Sequence, residues 1–194
     1  MFSTRFHGRG GQGVVTAAEL LSLAAFADGQ ETQAFPSFGS ERMGAPVVAF
    51  CRIDERPIRL REPIAEPDAV VIQDATLLHH VDVFGGLVPD GFIVINSSRG
   101  IDELGLGELR ERHSPDRVVT VPASEIARRC TGRSIPNATL LGALAALTGC
   151  VSLPSLEQAI GQRFGEAAAT SNSAAAREAW AHVAREGDRA GQAA

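Results

Sequence analysis

Near the start of the chain, Gly8-Arg9-Gly10-Gly11-Gln12-Gly13 fit G-x-G-x-x-G, with a strand pattern over Thr4–His7 before them and a helical pattern from Val14 after them. In that setting glycines let the backbone turn sharply and bring N–H groups to an anion. The helix that follows adds unpaired donors and partial positive charge. Arg9, Gly10, Gly11, Gln12 and Gly13 are therefore candidate phosphate-handling residues. Tight strand-to-helix packing with no ligand is the lesser alternative for the same glycines.

A second segment rich in turn formers, Pro36 to Ala45, offers Ser40, Glu41 and Arg42 between Gly39 and Gly44. An arginine there suits charge-assisted hydrogen bonds to phosphate, and the glycines suit close approach or lid movement. Phe38 and Met43 suit a subunit interface, and Glu41 and Arg42 suit pairing with each other or with a neighbouring subunit. Asn137 follows Pro136 at a helix start, where it fits a cap or a ligand contact. Asp74 ends an apolar strand, a position favoured for ligands in open sheets and equally for helix capping. His7 reads as a satisfied structural histidine, and His79-His80 as a solvated helix end, because adjacent helical residues point apart.

The elements around these residues alternate. The expected helix from Val14 to Phe26 carries Leu20, Leu23 and Phe26 at helical spacing and ends at Gly29. A strand is expected over Glu31–Phe35, and an antiparallel hairpin from Pro46–Ile53 with a return strand at Ile58–Leu60. Ala69–Ile72 and Phe92–Ile95 are continuous apolar runs of the kind buried on both faces, and Arg117–Val121 follows a helical stretch over Asp102–Arg112. A short helix is expected over Ala75–His80. From Ser124 onward the chain reads as helical, over Ser124–Cys130, Asn137–Leu147, Leu153–Phe164 and Asn172–Glu186, with Leu140, Leu141, Leu144 and Leu147 at core spacing. The expected fold class is α/β: a Rossmann-like, mostly parallel sheet with helices on both faces, an antiparallel hairpin and a helical C-terminal part. The whole of 1–194 is expected to be one domain.

Composition narrows the chemistry. All 18 basic residues are Arg, so a catalytic Schiff-base lysine and a P-loop lysine are excluded. Net charge is −5, with no Tyr and one Trp, which speaks against a nucleic-acid platform. Cys51, Cys130 and Cys150 are widely spaced and cannot supply the four thiolates usual for a structural zinc site or an iron–sulfur cluster; no metal site is expected in this chain. The N-terminus lacks a secretory pattern and no apolar run reaches the roughly 20 residues of a membrane span, so a cytoplasmic location without membrane contact is expected. A dinucleotide fold would close its second strand with an acid for the ribose. Here Glu31 begins that strand and the exit reads Phe35-Pro36-Ser37, which counts against NAD or FAD.

The glycine turn together with Gln33-Ala34-Phe35-Pro36-Ser37-Phe38-Gly39-Ser40-Glu41-Arg42-Met43-Gly44-Ala45-Pro46 resembles the gamma subunit of pyruvate:ferredoxin oxidoreductases and related 2-oxoacid:acceptor oxidoreductases. The resemblance continues through Cys51-Arg52-Ile53-Asp54, Pro57-Ile58-Arg59, Glu66-Pro67-Asp68 and Ile135-Pro136-Asn137 with Leu141-Gly142-Ala143-Leu144. It runs on through Ser152 to Ile160 and Arg163-Phe164. It implies a component of a multi-subunit enzyme that decarboxylates a 2-oxoacid, passes the acyl group to coenzyme A and sends two electrons to ferredoxin. Thiamine diphosphate, magnesium and iron–sulfur clusters are implied on partner alpha, beta and delta subunits, with no catalytic residue on this chain. Its implied share is coenzyme A handling and complex assembly, at Arg9, Gly10, Gly11, Gln12, Gly13, Ser40, Glu41, Arg42, Gly44 and Asn137. A ligand-free scaffold subunit and a free-standing nucleotide-binding oxidoreductase are the alternatives. The aromatic-flanked Phe35-Pro36-Ser37-Phe38 favours the pyruvate-type branch.

Overall fold

The apolar runs become the middle of a six-stranded sheet because they are buried on both sides. In the computed structural model, which describes residues 1–37 and 43–192, the strands are β1 (Phe2–Arg9), β2 (Glu31–Pro36), β3 (Pro46–Asp54), β4 (Ala69–Ile72), β5 (Phe92–Asn96) and β6 (Val118–Val121). Their order is β2-β3-β1-β4-β5-β6. β1, β4, β5 and β6 pair in parallel, while β3 runs antiparallel to both β1 and β2. The reversed strand thus separates β1 from β2, which would be neighbours in a dinucleotide fold.

The helices are α1 (Val14–Ala27), α2 (Leu109–Arg112), α3 (Ala123–Thr131), α4 (Asn137–Thr148), α5 (Leu153–Arg163) and α6 (Glu166–Gln192). Strand side chains alternate between faces. Phe6, Val71 and Val94 join Leu20, Leu21, Leu140, Leu141 and Leu144 in the main core, under the long helices. Val70, Ile72, Ile93 and Ile95 point the other way and are covered by Leu77, Val83, Ile101, Leu104 and Leu109. Those residues belong to a 3-10 turn (Ala75–His79), irregular chain and the single turn of α2. Both faces carry helical elements, but the long ones gather on one side.

α4 is buried along most of its length and packs closely on α6. A Cβ on Gly142 would lie 2.0 Å from the Ala176 carbonyl oxygen, so only glycine permits this approach. The end of α1 is tied to the start of α5 by Asp28, which accepts from the Ser152 backbone N–H (2.7 Å) and the Ser152 and Ser155 hydroxyls (2.8 and 2.6 Å). Burial works against ionisation of Asp28, but the hydrogen bonds from Ser155 and Ser152 outweigh it and hold the carboxyl below its usual value.

Four expectations need correction. Ile58–Leu60 is not a strand; β3 finds its antiparallel partners in β1 and β2, and the segment between Pro57 and Pro63 runs irregularly with Leu60 40% exposed. The helical stretch over Asp102–Arg112 is broken into turns before α2, with Gly105 at φ +72°. α6 begins at Glu166, ahead of the expected Asn172. Asn137 is not the cap of α4: Pro136 occupies that position, and Asn137 opens the helix with its Oδ1 accepting from the Ala138 N–H (2.7 Å).

Candidate functional site

After β1 the chain enters α1 and then β2 on one side, returns through β3, and crosses to β4 on the other side of β1. The β1/β4 boundary is therefore the switch point where open sheets place their ligands. Two segments emerge there, the glycine turn after β1 and Gln73-Asp74 after β4. The exit of β2 and the start of β3 lie at the same end, since Arg9 pairs with Pro46.

The turn needs its glycines. Gly11 and Gly13 have φ of +95° and +71°. A Cβ on Gly13 would come 2.5 Å from Asn137 Nδ2, and one on Gly8 would come 2.6 Å from Val14 Cγ2 and 3.1 Å from Gln12 Oε1. α1 then begins at Val14, with Gly13 at the N-cap, no side-chain cap and no acid in its first turn, leaving its amide end electropositive.

Two cavities flank the turn, and Gly11, Gly13 and Thr16 line both. The smaller, about 270 Å3, is completed by Arg9, Val14, Met43 and Val47. The larger, about 540 Å3, extends between the helices past Asn137, Arg133, Arg163 and Asn172. Sequence reasoning missed Thr16, Arg133, Arg163 and Asn172 as lining residues. Thr16 lies three positions beyond the last glycine, within reach of the same turn; the others come from distant helices and leave no local signal.

Arg9 and Gln12, expected to face a phosphate, are held by Asp74. Gln12 accepts from the Arg9 backbone N–H (2.8 Å) and donates through Nε2 to Asp74 Oδ2 (2.9 Å). Arg9 Nε lies 3.2 Å from the same oxygen, its Nη2 donates to Thr76 Oγ1 (2.9 Å) and its Nη1 to the Gly44 carbonyl (3.1 Å). Asp74 Oδ1 accepts from the Thr76 N–H (3.0 Å) and hydroxyl (2.5 Å), capping the 3-10 turn as its residue type predicts. Burial opposes ionisation of Asp74, but the Thr76 and Gln12 hydrogen bonds and the Arg9 charge prevail and lower its pKa. Gly10 donates to the Ala45 carbonyl (2.9 Å) and accepts from the Gly44 N–H (3.1 Å), joining the second segment to the turn. Of that segment, Gly44 is thus placed at the turn, and Met43 projects from the rim at 87% exposure. Ser40, Glu41 and Arg42 lie outside the described residues.

Gln73 was passed over in the sequence. Its side chain is 1% exposed, and neither amide atom has a hydrogen-bond partner. His7, 4% exposed, accepts from Arg5 Nε (2.9 Å); burial and then the Arg5 charge lower its pKa to about 4. It is a neutral structural group. Burial pushes the Cys51 thiol up strongly and the Cys150 thiol to about 11. Among the described residues no group of three or more His, Cys, Asp or Glu could hold a metal ion, and no helix is long and apolar enough to cross a membrane. Three cysteines fall short of the four-thiolate set usual for an iron–sulfur cluster.

The sequence profile of the pyruvate ferredoxin/flavodoxin oxidoreductase family matches residues 3–181. The chain is similar to the pyruvate/ketoisovalerate oxidoreductases common subunit gamma of Pyrococcus abyssi, 48% identical over 180 residues that make up 93% of this chain and 96% of the relative. Its fold is similar to that of pyruvate oxidoreductase subunit PORC from Thermotoga maritima, with TM-score 0.78, 35% identity and coverage of 93% and 95% of the two chains. A 2-oxoglutarate:ferredoxin oxidoreductase from Magnetococcus marinus, solved with coenzyme A bound, shares the fold at TM-score 0.70 and 20% identity over 95% of this chain and 31% of that one.

Proposed function

The chain belongs to the pyruvate ferredoxin/flavodoxin oxidoreductase family as a gamma-type subunit, and from that membership we propose that its own share of the reaction is to hold coenzyme A. It is a component of a multi-subunit oxidoreductase, and the other subunits are its partners. In the overall reaction a 2-oxoacid and the thiol of coenzyme A give an acyl thioester, carbon dioxide, one proton and two electrons. Thiamine diphosphate with magnesium and the iron–sulfur clusters supply the decarboxylation and electron-transfer chemistry on the alpha, beta and delta subunits, with ferredoxin as acceptor.

The observation that carries the proposal is the uncapped amide end of α1, set behind a glycine turn at the switch point with a cavity on either side. Backbone N–H groups of Gly11, Gly13 and the first turn of α1 take the pyrophosphate, Asn137 lies against them, and Arg42 adds charge from the second segment. A long ligand fits a site with two cavities sharing one wall. Exposed Met43 at the rim serves docking of a partner subunit.

Calorimetry of the assembled complex with coenzyme A tests this. Gly13→Ala and Arg42→Ala are each expected to weaken binding tenfold or more, about 1.4 kcal/mol. Unchanged affinity in both variants refutes the assignment.

A further inference from the structure

Asp74 divides its two oxygens between two tasks. Oδ1 caps its own 3-10 turn, while Oδ2 reaches across the switch point to Gln12 Nε2 and Arg9 Nε. Gln12 in turn clasps the Arg9 backbone, fixing the bend of the glycine turn, and Arg9 grips the Gly44 carbonyl. Sixty-two positions separate Gln12 from Asp74, so nothing local imposes this contact. Arg9 also spends its cationic charge on this carboxylate, which suits it to a tether better than to a phosphate.

We infer that Asp74 is a positioning residue for ligand binding: from the end of β4 its Oδ2 sets the glycine turn through Gln12 and, through Arg9, holds Gly44 of the second segment against that turn. The two walls of the smaller cavity, Gly11 and Met43, are thereby kept in one arrangement. The inference rests on the coenzyme A reading of the turn.

The discriminating variant is Asp74→Ser, in the assembled complex. Serine keeps a hydroxyl able to cap the 3-10 turn but is too short to reach Gln12 and Arg9. The KM for coenzyme A is expected to rise about tenfold, with the KM for the 2-oxoacid within about twofold of wild type and the melting temperature of the complex nearly unchanged. Arg9→Gln is expected to raise the same KM by a smaller factor. A merely structural Asp74 would lower the melting temperature or kcat and leave the coenzyme A KM alone, which overturns the inference. If Gly13→Ala raises the coenzyme A KM while Asp74→Ser does not, the inference fails and the coenzyme A reading survives. If neither variant moves it, both fail.

Discussion

His7 is expected to make the fold sensitive to acid. It lies on β1, 4% exposed, with Arg5 donating to its ring, and its pKa is lowered from 6.5 to about 4 by burial and by the Arg5 charge, against a weaker opposing pull from Asp82. The unfolded chain therefore takes up a proton as pH falls through about 6.5, while the folded chain stays neutral until about 4. The stability associated with neutral His7 is fully present above pH 6.5 and is lost across that window. At about 1.4 kcal/mol per pH unit, the interval from 6.5 to about 4 amounts to about 3 kcal/mol. His7→Gln preserves an acceptor for Arg5 and removes the titration. Guanidinium unfolding of both proteins from pH 8 to pH 4 gives the difference, cancelling carboxylates common to the two. The wild type is expected to lose about 3 kcal/mol more than the variant between pH 7 and pH 4. A difference that stays constant with pH, or a His7 ring that NMR shows protonating near 6.5, refutes the reasoning.

Two further outcomes test the packing. Gly142→Ala drives a methyl into the Ala176 carbonyl and is expected to destabilise by at least about 3 kcal/mol, lowering the thermal midpoint by about 10 °C. Asp28→Ala removes the exposed cap linking α1 to α5, at a cost of about 1 kcal/mol in chemical denaturation. Because the Asp28 carboxyl is held below its usual value, the difference is present at neutral pH and disappears as pH falls through the folded value.

Regular elements were legible where one physical signal dominated. Ala69–Ile72 reads as a buried strand because every position is apolar, and α4 reads as a helix because Leu140, Leu141 and Leu144 keep helical spacing; all three are buried. Ile58–Leu60 mimics a return strand because strand-like residues follow a turn, whereas β3 pairs with β1 and β2, the latter supported by pairs such as Phe35 with Phe50. Local pattern does not encode that choice. At the site, the glycine turn was visible as a motif, and Asp74 as a strand-end acid suited to capping the turn that follows. The joining of Asp74 to Gln12 and Arg9 was not, since it depends on β4 lying beside β1. Arginine's residue type suggests a phosphate contact, while the ion pair of Arg9 with Asp74 is visible only in the fold. Gln73 gave no signal at all, because an unpaired amide is recognisable only once its surroundings are known.

The reversed strand β3 also fixes where the connecting segment is anchored. It makes the segment joining β2 to β3 leave and re-enter the sheet at one end, pinned by the Ser37 N–H to the Val48 carbonyl (2.8 Å) and by Gly44 to Gly10. A segment pinned at both ends can lengthen at little cost, since doubling a loop adds only about 0.6 kcal/mol of closure entropy. Both pins lie outside 38–42, so the register of β2, β3 and β1 is set without those residues. The strands and the glycine turn are therefore held in place independently of that segment's length.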